Sequence, residues 1–184
     1  MSNSGVFPSY YRLTKPRMVF MNVLVAAAAF VFASHNVIIW GVFGLMLVGL
    51  SCIVASACVF NNFADRFLDA RMERTKKRAL PSGEIHPTHA LIFGFILFFC
   101  GAFLLWAADP LALLIALLGF GVYVFIYTPI KPKSGYALYP GAVAGATPPL
   151  VGYAAAAHTL DYYALAFFLI LFLWQIPHFL AIAR

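Results

Sequence analysis

Charge is scarce in this chain. Asp, Glu, Lys and Arg make up 10% of its 184 residues and hydrophobic residues 64%, whereas a soluble globular domain is about 25% charged. That balance excludes a soluble domain. It also excludes a disordered chain, which needs low hydrophobicity to stay unfolded. Cysteine is nearly absent. Cys52, Cys58 and Cys100 lie inside apolar runs, are odd in number and form no C-x-x-C pair. Neither a disulfide framework nor a zinc site is predicted, and the three read as buried, small apolar thiols. The amino terminus has no short apolar core ending in a small-residue cleavage site, so the first apolar run is read as a retained span. No repeat of fixed period and no low-complexity linker divides the chain, so residues 1–184 are read as a single domain. The mid-span positions carry no charge, which argues against a transporter or channel.

What the chain has is long apolar runs, 17% aromatic residues and a mean hydropathy of +0.91. A bilayer core of about 30 Å needs roughly 20 helical residues. Six segments fit that ruler: Pro16 to Ser34, Asn36 to Phe60, His89 to Ala108, Pro110 to Thr128, Ser134 to Ala157, and Leu160 to Arg184. The runs are continuous and do not alternate every second residue, so barrel strands are rejected. The predicted fold class is all-α, a polytopic transmembrane bundle of about six spans. The fifth span carries Gly141, Gly145, Pro148, Pro149 and Gly152. It is read either as a kinked helix beside a cavity or as a tightly packed helix, with Gly141 and Gly145 permitting close contact.

The net charge of +6 comes from 12 basic against 6 acidic residues. The bases are few and lie between apolar runs, so they read as topology signals and phosphate-facing groups; no nucleic-acid partner is predicted. In a six-span layout all 12 fall on one side, with Arg12, Lys15 and Arg17 first and Arg184 last. That side is expected to be cytoplasmic, with the amino terminus.

The chemistry is sought in residues 61–88, read as a cytoplasmic Asp-rich and basic loop. Span two runs into FNNFADRFLDARMERTKKRALPSGEI. Asn61, Asp65 and Asp69 are spaced i, i+4, i+8, and each step of four drifts only about 40° around a helix. If the helix continues past Phe60, three oxygen-bearing side chains share one face at the membrane edge. Such a set suits Mg²⁺, which is commonly held by one or two carboxylates plus substrate phosphates. Arg71, Arg74, Lys76, Lys77 and Arg78 stand near to hold phosphate oxygens. A lipid diphosphate fits this mixture, its head at the interface and its tail between helices. The competing reading pairs Asp69 and Glu73 with Arg66, Lys76 or Lys77 on a solvated helix face.

N-x-x-x-D-x-x-x-D at Asn61, Asp65 and Asp69 resembles the first Asp-rich motif of the intramembrane, UbiA-type prenyltransferases. MERTKKR at 72–78 and LWQIPHF at 173–179 resemble the protohaem IX farnesyltransferase branch, with TKPR at 14–17 and GATPPLVGY at 145–153 in agreement. The resemblance implies Mg²⁺ as cofactor and farnesyl diphosphate and haem B as substrates in the membrane. Asn61, Asp65 and Asp69 would be catalytic and metal-binding. Lys15, Arg74, Arg78 and Lys131 would bind diphosphate, and His178 would contact haem. The implied reaction alkylates the C2 vinyl group of haem B to give haem O. Bacterial inner-membrane location and contact with terminal oxidase assembly factors follow as expectations. Two alternatives stay open: an aromatic quinone-precursor acceptor, and a non-catalytic subunit that binds haem or an oxidase. The family fold implies about nine helices and a second Asp-rich motif beyond the WQIPHF helix. The chain is therefore expected to be an amino-terminal part, inactive alone.

Overall fold

The computed structural model describes residues 6–35 and 37–182. Asn36, the predicted start of span two, and Arg184 lie outside the described residues. A short helix α1 (Val6–Leu13) precedes α2 (Pro16–Ala33), α3 (Trp40–Asp69) and α4 (Pro87–Ala108). Helix α5 (Pro110–Gly121) continues through a π-helical turn, Val122–Tyr127, into α6 (Thr128–Ile130). A 3₁₀ turn at Gly135–Ala137 leads to α7 (Leu138–Ala157), and α8 (Tyr162–Ile182) ends the described chain. Among the described residues there is no strand, and the all-α membrane bundle is the fold.

Among the described residues four stretches are long and apolar enough to cross a bilayer: Pro16–Ala33, Trp40–Asp69, Pro87–Ala108 and Pro110–Ile130. The proline-bearing α7 and α8 stand at the places of the predicted fifth and sixth spans. Two boundaries differ from the sequence reading. Helix α3 starts at Trp40 and runs through Asp69, so 61–69 is helix and the turn segment occupies only 70–86. No Gly or Pro interrupts 60–69, and α3 stops where Thr75 Oγ1 donates to the Asp69 carbonyl at 2.9 Å. That bond takes an acceptor the next helical turn would have used.

Prolines and local caps set the other starts. Pro16, Pro87 and Pro110 stand in the first turns of α2, α4 and α5, where a missing N–H costs nothing. Asp109 Oδ1 accepts from the Ala112 N–H at 2.7 Å and caps α5. Its Oδ2 meets His158 Nδ1 at 2.7 Å, which ties the α4–α5 corner to the end of α7. Asp161, between α7 and α8, accepts from the Tyr163 and Ala164 N–H groups at 2.9 and 3.1 Å, and from Tyr153 Oη at 2.7 Å. Both acids outside the motif region are therefore spent on helix ends.

The tightest helix contacts use absent side chains. A Cβ on Gly152 would lie 1.9 Å from the Ala26 carbonyl oxygen, so α7 and α2 touch backbone to backbone there. A Cβ on Gly101 would lie 2.7 Å from the Gly49 carbonyl oxygen, where α4 meets α3. Gly145 instead faces the Gln175 side chain of α8. The cysteines differ from their reading in part: Cys58 is buried, Cys52 is half-buried and Cys100 is exposed. The α4 face bearing Ile92, Phe95, Ile96, Phe99, Phe103 and Trp106 is exposed, as a lipid-facing surface requires.

Gly152→Val should destabilise the bundle by about 1–3 kcal/mol or more, because α2 has to move; a lowered melting temperature in detergent measures it. The hydrogen bond from Tyr153 holds the Asp161 carboxyl below the ordinary carboxylate value. A depressed carboxylate pKa gives stability that is present above the unfolded value, about pH 4, and lost as pH falls through the folded one. Thermal stability should drop on acidification below about pH 4, and Tyr153→Phe should shrink that drop.

Candidate active site at the end of helix α3

Because α3 continues to Asp69, its last turns present Asn61, Asp65 and Asp69 on one stripe. All three are buried, at 1%, 7% and 5% exposure. Each meets a cation from a different part of the chain. Lys15, between α1 and α2, donates through Nζ to Asn61 Oδ1 at 2.7 Å. Lys131, just past α6, forms an ion pair with Asp65 Oδ2. Arg78, in the turn segment, pairs with Asp69 Oδ2 at 2.7 Å. Three of the four predicted phosphate-binding bases thus converge on the motif. Arg74 is exposed on the turn segment, and among the described residues no hydrogen bond or ion pair joins it to these acids. The solvated-face pairing holds for Glu73, which meets Lys76 at 2.7 Å, but Asp69 goes to Arg78.

The electrostatics are uneven. Lys131 and Arg78 face carboxylates, whereas Lys15 faces a neutral amide oxygen. Burial holds the Lys15 ammonium below the ordinary lysine value. A desolvated cation with a neutral partner gains more from an arriving anion than one already paired. Its backbone is unusual as well, with φ 51° in the left-handed region at the residue before Pro16. Proline disfavours right-handed helix in its predecessor, which breaks α1 from α2 and places Lys15 at the corner.

Sequence reasoning missed the support for Asn61. Its Nδ2 donates to Thr128 Oγ1 at 3.2 Å, and Thr128 Oγ1 donates to the Tyr123 carbonyl at 2.8 Å. The Thr128 backbone N–H goes to the same carbonyl. This is the i to i−5 bond of a π-helical turn. Pro129 supplies a physical reason, since its ring clashes with a carbonyl four residues back in a regular helix. The Thr-Pro pair was therefore the available signal. The turn also brings Tyr123 and Tyr127 beside the site, their rings stacked with centroids 5.2 Å apart, and Lys131 Nζ stands 5.9 Å from the Tyr127 centroid.

The donor set fits a hard divalent cation. It consists of two carboxylates and an amide oxygen on one face, with no soft ligand among them. Each carboxylate uses Oδ2 for its base, and a carboxylate has about four lone-pair sites. Among the described residues no three His, Cys, Asp or Glu side chains form a self-sufficient metal cage. A metal here would therefore need ligand oxygens from substrate or water.

The other anchors are structural. Asn62 Nδ2 donates to the Leu13 carbonyl at 2.8 Å, and Glu84 Oε2 accepts from Ser9 Oγ at 2.7 Å and Arg12 Nη2 at 3.2 Å. These bonds close α1 and the turn segment over the end of α3. His178 is exposed near the end of α8, stacked on Trp174 with centroids 4.8 Å apart. Helix α8 returns antiparallel to α7 (Gln175 lies against Gly145), so His178 is at the same end of the bundle as Lys131. His86 caps α4 by accepting from the Thr88 N–H at 3.3 Å.

Thr128→Val should leave buried Asn61 Nδ2 unpaired and cost about 1–3 kcal/mol. Thr128→Ser should keep the wild-type melting temperature.

A family model described as the UbiA prenyltransferase family matches residues 22–184. A protoheme IX farnesyltransferase of Enterobacter sp. (strain 638) is 42% identical over 180 residues, covering 97% of this chain and 61% of that protein. One of Photorhabdus laumondii subsp. laumondii is 45% identical over 176 residues, covering 95% and 60%. Among solved structures, a digeranylgeranylglyceryl phosphate synthase superposes with a TM-score of 0.82 at 19% identity, over 93% of this chain and 60% of that one. A UbiA homologue from Archaeoglobus fulgidus bound to DMAPP and Mg²⁺ gives 0.73 at 18% identity, over 92% and 62%. The chain spans about three fifths of the length of the curated relatives it matches.

Proposed function

The chain belongs to the UbiA prenyltransferase family, and from that premise we propose that the protein transfers a farnesyl group from farnesyl diphosphate to haem B, giving haem O. The haem acceptor is favoured over a quinone precursor because the relatives at 42–45% identity carry the protohaem name. The observation that supports the chemistry most directly is the buried stripe of Asn61, Asp65 and Asp69, met by cations from three separate elements.

Asn61, Asp65 and Asp69 would hold Mg²⁺, which when bound neutralises diphosphate charge and makes it a better leaving group. Lys15, Arg78 and Lys131 would bind the diphosphate oxygens, with Arg74 at the rim. Lys15 contributes most, since it has no carboxylate to give up. The C1–O bond of farnesyl diphosphate breaks and its electron pair leaves with the diphosphate. The π electrons of the haem C2 vinyl group form the new carbon–carbon bond to the allylic cation. Water then adds to the resulting haem-side cation and loses a proton, leaving the hydroxyethylfarnesyl group. Tyr123 and Tyr127 offer π faces to the allylic charge, and the apolar helix walls keep water from it. His178, at the same end of the bundle, is proposed as the haem contact. The setting is a bacterial inner membrane with the Asp-bearing end in the cytoplasm, supported by the one-sided basic residues. Residues 1–184 act as one domain, and contact with terminal oxidase assembly factors belongs to the same proposal.

The chain in lipid nanodiscs should retain farnesyl diphosphate with Mg²⁺ and release it with a chelator. Asp65→Asn and Asp69→Asn should each weaken retention by about ten- to a hundredfold. Equal retention with and without Mg²⁺, or by both variants, would refute the metal–diphosphate site. In a protein of the relatives' length, mass spectrometry of the haem product tests the acceptor.

A further inference from the structure

Helix α3 has a second polar feature, on the side away from the acids. Phe63, Arg66 and Phe67, with Ala70 at the helix's C-terminal cap, are spaced i, i+3, i+4, i+7 and form their own stripe. At 100° per residue its centre lies about 150° around the helix from that of Asn61, Asp65 and Asp69. These four residues form one wall of a groove of about 410 Å³. Leu80 and Pro81 of the turn segment and Pro87, Thr88 and Leu91 of α4 complete it. The volume lies within the roughly 300–1,000 Å³ usual for small-molecule sites.

Apart from Arg66 and the Thr88 hydroxyl, the groove's side chains are apolar. Arg66 is held without a counter-ion. Its Nη1 donates to the Phe63 carbonyl at 2.7 Å, and its guanidinium lies 4.0 and 4.2 Å from the Phe63 and Phe67 ring centroids. Among the described residues no carboxylate is within ion-pair distance of it. The nearest acids in sequence are engaged elsewhere: Asp65 with Lys131, and Asp69 with Arg78. The two rings and the Phe63 carbonyl hold the guanidinium in place while its remaining N–H donors stay available, an arrangement suited to a phosphate diester. Past Leu91 the groove runs onto the exposed α4 face of Ile92, Phe95, Ile96 and Phe99. A ligand seated here thus meets a cation at the membrane edge and an apolar track along the bilayer.

We infer that this groove is a binding site for an anionic phospholipid, with the phosphate on Arg66 and an acyl chain along α4. A zwitterionic lipid fits less well, because its own ammonium competes for the phosphate and the groove offers that ammonium no acid. The site is separate from the diphosphate site, whose cations lie on the other face of α3.

The test is native mass spectrometry of the chain released from vesicles of equimolar phosphatidylglycerol and phosphatidylcholine. Wild type should carry phosphatidylglycerol in preference to phosphatidylcholine. Arg66→Gln should lower that preference about fivefold, the effect of one interfacial base. Thr88→Phe, which fills the groove and leaves the guanidinium in place, should lower retention of both lipids. Lys77→Gln removes an exposed base from the turn segment outside the groove and should change nothing. The inference fails if wild type shows no preference, or if Lys77→Gln matches Arg66→Gln, since the attraction would then be diffuse surface charge. It also fails if Thr88→Phe retains lipid as wild type does. Should Arg66→Gln lower the melting temperature, the Thr88→Phe and Lys77→Gln results decide between these outcomes.

Discussion

Two carboxylates and an amide buried at the end of a membrane bundle are stable only if each finds a partner, and here each partner comes from a different stretch of chain. Lys15 precedes α2, Arg78 sits in the turn segment and Lys131 follows α6. An exposed pair such as Glu73 with Lys76 contributes about 0–1 kcal/mol. Removing one partner of a buried pair costs about 3–5 kcal/mol, because a charge is left alone. Asp65 and Asp69 are almost wholly buried, with side chains 9% and 8% exposed, while their cations are 30% and 39% exposed. The acids are therefore fixed and the bases are partly free. The cations remain accessible to a charged ligand arriving from the interface, and the carboxylates do not have to move.

The same pairing explains why the irregular parts of the structure gather at this end. Lys131 reaches Asp65 from a segment that has just passed through a π-helical turn, and the register change at Thr128 lets its hydroxyl and N–H share the Tyr123 carbonyl. That hydroxyl also receives the Asn61 amide N–H. With Nδ2 engaged, Oδ1 is the atom that faces Lys15. One proline thus sets the turn, the turn sets a threonine, and the threonine sets which end of an amide points toward the cation.

Much of this was legible from residue order. The spacing of Asn61, Asp65 and Asp69 requires a common face once the helix is granted, and the one-sided placement of the bases puts Lys15, Arg78 and Lys131 at the same end. Composition and the continuous apolar runs carry the helical bundle, because only helices and closed barrels satisfy their own backbone in hydrocarbon and a barrel strand would alternate. Other features were hidden for physical reasons. The continuation of α3 to Asp69 depends on Asn62 reaching the Leu13 carbonyl and on buried partners for the acids, and these are tertiary contacts. Which base meets which acid is a matter of three-dimensional reach. The contact between Gly152 and Ala26 lies seven residues, about two turns, past the Gly145 step that the pattern singled out; the two glycines share a face, and which helix passes at each depth is a tertiary matter. Arg66 read as a topology charge or as a partner for Asp69 or Glu73, and only its place over two rings, with those acids paired elsewhere, distinguishes it.

The acid stripe differs from the remaining acids in what its side chains do. The chain has six. Asp109 caps α5 and holds His158; Asp161 caps α8 and holds Tyr153. Both lie at the opposite end of the bundle. Glu84 ties Ser9 and Arg12 to the turn segment, and Glu73 forms a local surface pair. Each of these four has a structural task that accounts for its position. Asp65 and Asp69 cap nothing with their side chains, lie one helical turn apart, and are buried against cations distant in sequence. Burial without a capping role is expensive for a carboxylate, so it calls for a use that exposure would spoil. Holding a hard cation and its anionic ligand at the membrane edge is such a use, and it needs the carboxylates fixed before the ligand arrives.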